Sequence, residues 1–233
     1  MVSQMFCLPY AGGSASIYND WVKKLKSSID VCPIEYAGHG GRFCEEFYFD
    51  IEEAAQDVSK MIRKRCKEDY VIYGHSMGCL VALETAFVLE KEKAVLPKAI
   101  IVGGNRPPHL KYKDKSLKEL SKDELMEETA SLGQIEPEVM ECEELYEIIA
   151  DIMYADVQMF SKYDRSPEWG KISIPVLVLA GDGDDETPME DIQEWKEYTN
   201  GEFKLNVFKG NHFFAFNDNE AFFDYLLKYI EKL

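Results

Sequence analysis

With 233 residues, 46% of them hydrophobic, the chain is long enough to bury one large core. The 26 Lys and Arg against 43 Asp and Glu leave a net charge of −17, which argues against nucleic acid and anionic membrane as partners. Six cysteines (7, 32, 44, 66, 79 and 142) without C-x-x-C spacing read as reduced thiols of a cytoplasmic protein, not metal ligands, and neither a signal peptide nor a membrane span is expected.

Strand and helix signals alternate along the chain. An apolar run predicts a first strand at 4–8, and Phe6-Cys-Leu-Pro-Tyr-Ala-Gly-Gly-Ser14 carries it into a small-residue loop that lets backbone amides approach a ligand. Ile17, Trp21, Leu25 and Ile29 recur at four-residue spacing and predict a helix, and a second strand follows at 31–36. Asp50 and Glu53 form a capping box ahead of Ala54, Val58 and Met61. A third strand at 70–74 runs into Gly74-His-Ser-Met-Gly78, after which Leu80, Val81, Leu83, Ala86 and Phe87 continue at helical spacing. The fourth strand is expected at 98–103.

From Arg106 to about Gly170 no strand signal occurs, whereas helical signals do. Ser121-Lys-Asp-Glu124 caps one helix, and Leu145, Ile148, Ile149, Ile152, Met153 and Phe160 mark another. An insertion of this size at the active-site edge reads as a lid over about 106–170. Strands at 174–180 and 203–208 follow, and a last helix is expected to start near Asn217 or Asp218. The whole predicts one α/β domain, 1–233, with a parallel sheet and right-handed crossovers.

The third strand, the tight turn and the helix after it form a nucleophile elbow of the G-x-S-x-G kind, with Ser76 exposed at the turn. A nucleophilic serine needs a base, and the base needs an orienting acid, in the chain order Ser, Asp or Glu, His. Of His39, His75, His109 and His212, only His212 lies after the last strand, in Gly210-Asn-His-Phe-Phe214. A loop there opens at the carboxyl edge of the sheet, as the elbow does. The acid is expected in Gly181-Asp-Gly-Asp-Asp-Glu-Thr-Pro188. Asp182 falls within the turn, and Thr187 with Pro188 and Glu190 predicts a helix start. Asp184, between turn and cap, is the favoured acid, with Asp185 the alternative. The acidic cluster lacks the Gly and Glu positions of an EF-hand, so no metal is expected. The oxyanion donors are expected to be the amides of Met77, first in the helix after Ser76, and Ala11, in the loop after the first strand.

These motifs together resemble the type II thioesterases, α/β-hydrolases that accompany nonribosomal peptide and polyketide synthases. The resemblance runs through Leu8-Pro-Tyr-Ala-Gly-Gly-Ser14, Tyr36-Ala-Gly-His-Gly-Gly-Arg42, Gly74-His-Ser-Met-Gly78, Arg106-Pro-Pro-His109, Leu120-Ser-Lys-Asp-Glu-Leu125 with Leu132-Gly133, Asp156 to Tyr163, the Gly181 loop and Gly210-Asn-His212. Ala37 stands where the family usually has Pro. The resemblance implies the triad Ser76, Asp184 and His212, the Ala11 and Met77 amides as oxyanion hole, and hydrolysis of acyl groups from the phosphopantetheine arm of carrier proteins. No cofactor of the enzyme's own is implied, because the substrate carries the phosphopantetheine, and a monomer is expected.

Two other activities share these features: a carboxylesterase or acyltransferase acting on small esters or acyl-CoA, and a non-catalytic scaffold that binds carrier proteins. Lys111, Lys113, Lys115 and Lys118 form a basic cluster at the start of the lid, expected either to meet the phosphate of the arm or an acidic carrier, or to line a solvated helix face. Only about four residues precede the Phe6 strand, which leaves no room for the antiparallel hairpin that often starts this fold. Six parallel strands in the order 2-1-3-4-5-6 are therefore expected, with the Ala11 loop beside the Ser76 elbow at the switch point.

Overall fold

The four inner strands bury alternate residues on opposite faces of one sheet, as two-sided burial of a parallel sheet requires. The computed structural model describes residues 2–67, 69–110, 117–131, 135, 137–217 and 219–233. Its strands are β1 (Gln4–Leu8), β2 (Asp30–Pro33), β3 (Tyr70–His75), β4 (Ile100–Gly103), β5 (Val176–Gly181) and β6 (Phe203–Phe208). They pair in the order 2-1-3-4-5-6, and every pairing is parallel. The expected sheet is therefore present, and its reversal between β1 and β3 opens the crevice between their carboxyl ends.

Phe6, Leu8, Tyr70, Ile72, Ile100, Val102, Val176 and Val178 point to one face. There they meet helices α2 (Ile51–Arg65) and α3 (Met77–Lys91). Met5, Cys7, Val71, Tyr73, Ile101, Leu177 and Leu179 point to the other face, against α1 (Asn19–Leu25) and the C-terminal helix described below. Helix α3 is buried on nearly all sides from Met77 to Ala86, so it carries no polar stripe. Helix α2 keeps one apolar face, Ile51, Ala54, Ala55, Val58 and Ile62, and starts at the expected cap, where Asp50 accepts the Glu53 amide at 2.8 Å.

Several boundaries moved for local reasons. The four-residue repeat expected as one helix splits into a 3-10 turn at Ala15–Tyr18 and α1, with Ile29 buried beyond the helix end. The chain leaves β2 after Pro33 and folds into a loop with positive φ at Gly38 and Gly40. Strand β5 begins only at Val176, because Pro175 has no amide to donate to a ladder.

Between β4 and β5 lie α4 (Lys122–Ser131), α5 (Pro137–Glu141) and α6 (Glu143–Phe160). The expected box at the start of α4 forms: Ser121 donates its amide to the Glu124 carboxylate at 2.8 Å, and the Glu124 amide returns to Ser121 Oγ at 3.3 Å. Leu125, Met153 and Val157 join the two longer helices in a small core that also covers Ala11. The chain beyond α6 is anchored on α3, where the buried Glu84 accepts from Arg165 and from the Tyr163 hydroxyl, each at 2.8 Å. Lys111, Lys113 and Lys115 of the basic cluster lie outside the described residues, as does the side chain of Lys118. After β5 come the short α7 (Met189–Ile192) and, beyond β6, α8 (Glu220–Ile230), capped by Asn219.

Candidate active site

The β3–α3 turn leaves no room for a side chain at Gly74 or Gly78, the glycines that flank Ser76. A Cβ on Gly74 would lie 2.2 Å from the Gly78 carbonyl oxygen, and one on Gly78 would lie 2.4 Å from the Leu8 carbonyl oxygen. The second clash shows how closely the elbow sits against the end of β1. Ser76 itself has φ 50° and ψ −120°, a conformation that costs about 1–3 kcal/mol and persists only when its surroundings impose it. Here the Ser76 amide donates to the Gly103 carbonyl at 2.8 Å, and Asn105 Nδ2 donates to the Ser76 carbonyl at 2.7 Å.

The loops after β5 and β6 are pressed together. A Cβ on Gly181 would meet the Gly210 carbonyl oxygen at 2.4 Å, the Gly183 amide donates to that oxygen at 2.9 Å, and Asp182 accepts the Gly210 amide at 3.0 Å. This packing delivers His212 to Asp184, with Nδ1 and Oδ2 3.0 Å apart. Asp184 is buried and Asp185 is exposed, which separates the two candidate acids. Asp184 also accepts from Thr187 Oγ1 at 2.7 Å and from the Glu186 amide at 3.0 Å. The expected Thr187 cap is thus not made: that hydroxyl goes to the acid, and α7 starts after Pro188.

Burial opposes charging either partner, yet the pairing prevails. The hydrogen bond and the opposite charge hold His212 above the ordinary histidine range and Asp184 below the ordinary carboxylate range. With Nδ1 directed to Asp184, Nε2 is the ring nitrogen left to act on a neighbour.

His75, to which the sequence assigned no role, ties His212 to the elbow. A carbonyl only accepts, so His75 Nε2 donates to the His212 carbonyl at 2.9 Å, and Nδ1 accepts from the Tyr73 hydroxyl at 3.0 Å. Burial, and then the neighbouring His212, push its pKa down to about 3, so it stays a neutral strut. The signal for it was the strand period: Tyr73 and His75 point to the same face. Among the described residues no hydrogen bond links the Ser76 hydroxyl to the His212 imidazole. Such bonds commonly close only around a substrate.

The amides of Ala11 and Met77 donate to no protein acceptor among the described residues, and both lie where the end of β1 meets the elbow. In the same residues no group of three or more His, Cys, Asp or Glu is placed to hold a metal ion, and no helix is long and apolar enough to cross a membrane.

A family model described as a thioesterase domain matches residues 3–233. The chain belongs to the thioesterase family. This thioesterase is 31% identical to Thioesterase PikA5 of Streptomyces venezuelae over 212 residues, spanning 91% of this chain and 75% of that protein. Its structure matches that of ClbQ from the colibactin NRPS/PKS pathway with a TM-score of 0.90 at 27% identity, over 100% of this chain and 98% of the other. The type II thioesterase BorB from the borrelidin biosynthetic cluster matches with a TM-score of 0.87 at 28% identity, over 99% and 93%. These relatives bear out the type II resemblance carried by the motifs, and with it a thioester hydrolase of α/β-hydrolase fold.

Proposed function

We propose that this thioesterase removes acyl groups from the phosphopantetheine thioester of carrier proteins, as an editing enzyme of nonribosomal peptide or polyketide synthesis. In this reading Ser76, His212 and Asp184 are the triad, and the Ala11 and Met77 amides form the oxyanion hole. The observation that carries it is the Asp184–His212 pair, fastened through the His212 carbonyl to His75, the residue next to Ser76. The chain is read as one domain, 1–233, with a lid over about 106–170. The contact of Leu125, Met153 and Val157 with Ala11 supports the lid assignment.

The chemistry follows from the groups. His212 Nε2 takes the Ser76 proton as Oγ attacks the thioester carbonyl, and the two amides receive the oxyanion. The tetrahedral adduct expels the thiol of the phosphopantetheine arm, which takes its proton from the His212 imidazolium and leaves the imidazole neutral again. Water, deprotonated by the same imidazole, then attacks the acyl-serine and releases the carboxylic acid and free Ser76. The reaction calls for no resident cofactor, because the phosphopantetheine belongs to the substrate.

The base must be neutral to act, so the acid limb of the kcat/KM profile is expected above about pH 6.5, the ordinary histidine value, because His212 is raised. A pH titration of thioester hydrolysis measures this, and a limb at or below that value would contradict the assignment. Substrate class is tested by comparing kcat/KM for an acyl-carrier protein, the same acyl-CoA and an aryl ester. The carrier thioester is expected to be preferred; preference for the aryl ester would indicate a carboxylesterase, and no turnover of any of them a binding scaffold.

A further inference from the structure

A buried polar cluster outside the triad joins three distant parts of the chain. His39 comes from the loop after β2, Asp156 from helix α6, and Gly12 from the loop after β1. Asp156 Oδ2 lies 3.0 Å from His39 Nε2 and accepts the Gly12 amide at 2.8 Å. The His39 and Asp156 side chains are only 2% and 4% exposed. His39 Nδ1 lies 2.9 Å from the Ala37 carbonyl oxygen, an acceptor only, so Nδ1 donates there while Nε2 faces the carboxylate. Burial resists a charge on this ring, but the hydrogen bond to Asp156 outweighs it and holds the imidazole above the ordinary histidine range. Such a cluster is costly to bury unless each polar group is satisfied.

Its position over the β1 loop gives it a use. The Gly13 amide donates to the Tyr10 carbonyl at 3.0 Å, closing a turn with Ala11 and Gly12 at its centre. Gly12 has φ 78° and Ala11 is not among the positive-φ residues, so this is a type II turn. Two side chains of α6, one helical turn apart, hold its second half. Asp156 takes the Gly12 amide, and Met153 Cε occupies the space where a Cβ on Gly12 would lie, 2.5 Å away. On the far side Glu35 accepts the Ala15 amide at 2.8 Å. One carboxylate from the β2 loop and one from α6 thus hold the chain just after Ala11, at Gly12 and at Ala15.

We propose that Asp156 is a positioning residue which, held by His39, sets the Tyr10–Gly13 turn so that the Ala11 amide faces the reacting carbonyl, making the oxyanion site depend on the seating of helix α6. The inference rests on the reading of Ala11 as an oxyanion donor. With α6 seated, both donors stand ready. With α6 lifted, the Gly12 amide loses its acceptor and the turn loses the contact that selects its conformation. Acyl groups that let α6 reseat are then hydrolysed faster than those that prop it open.

The test compares wild type, Asp156→Leu, Asp156→Asn and Ser76→Ala on one acyl thioester, with melting temperatures and the affinity of an alkyl boronic acid as a mimic of the tetrahedral adduct. Asp156→Leu is expected to lose about 10²-fold in kcat and a similar factor in boronate affinity, as for loss of one oxyanion donor, while KM stays within about threefold. Asp156→Asn keeps both the volume and an acceptor for Gly12, and is expected to recover about tenfold of the kcat loss. If the Leu variant does not fold, the Asn variant decides: a parallel fall in kcat and boronate affinity of about tenfold relative to wild type supports the proposal. Lower melting temperatures with kcat and boronate affinity unchanged would make the cluster a structural tie only and overturn it. If Ser76→Ala is inactive and the Asp156 variants turn over like wild type, the inference alone fails; if Ser76→Ala remains active, the underlying catalytic reading fails with it.

Discussion

Ser76→Ala is expected to lower turnover of an acyl thioester about 10⁶-fold, the scale seen when a triad nucleophile is removed. The melting temperature should hardly move. Alanine keeps the Cβ, and the bonds that impose the elbow conformation are made by the Ser76 backbone to Gly103 and Asn105. The strain at φ 50° therefore stays in the variant, without the hydroxyl it serves to present. Steady-state kinetics beside thermal unfolding separate the two effects. A variant that loses activity only because it unfolds would contradict this account of the elbow.

Asp184→Asn is expected to cost about 10⁴ in kcat, because an amide can present its NH₂ to Nδ1 and leave the proton on Nε2, where a base must have none. Thr187 and the Glu186 amide, which both donate to Asp184, would compete for the single remaining oxygen. Stability should respond in a defined pH window. The lowered Asp184 pKa contributes stability above about pH 4 that is lost as pH falls through the folded value. The raised His212 pKa contributes stability below about pH 6.5 that is lost as pH rises through its folded value. The melting deficit of the variant is thus expected to be largest in mildly acidic buffer and to shrink in alkaline buffer. A deficit that grows from mildly acidic to alkaline buffer would contradict the ionic pairing.

The sheet and the loops of the candidate site were legible because their signals are local. Each inner strand is a short apolar run, and the elbow combines a fixed glycine pair with a strand before it and a helix after it. The place of Asp184 between a turn and a helix start points to it as the partner of His212, but not to how the loop holds it. Thr187 is not the cap of that helix but a donor to the acid itself. What escaped the sequence was pairing over distance. His39 and Asp156 are 117 residues apart, and no periodicity links a glycine-rich loop to one polar position on a helix whose other inward residues are apolar. His75 was legible in principle from the strand period, but its partner, the His212 carbonyl, is backbone and leaves no mark on composition. Strand ends were least legible at Pro175, which has no amide to donate, and after Pro33, where the chain turns into the loop of Gly38 and Gly40.

The central claim is that Ser76 attacks a carrier-bound thioester. Intact-protein mass spectrometry of an acylated carrier protein, incubated with wild type and with Ser76→Ala, tests it most directly. The account predicts conversion to the free phosphopantetheinyl carrier by wild type alone, with the acyl mass retained beside the variant. Acyl mass retained with wild type, or lost equally fast with Ser76→Ala, would contradict it.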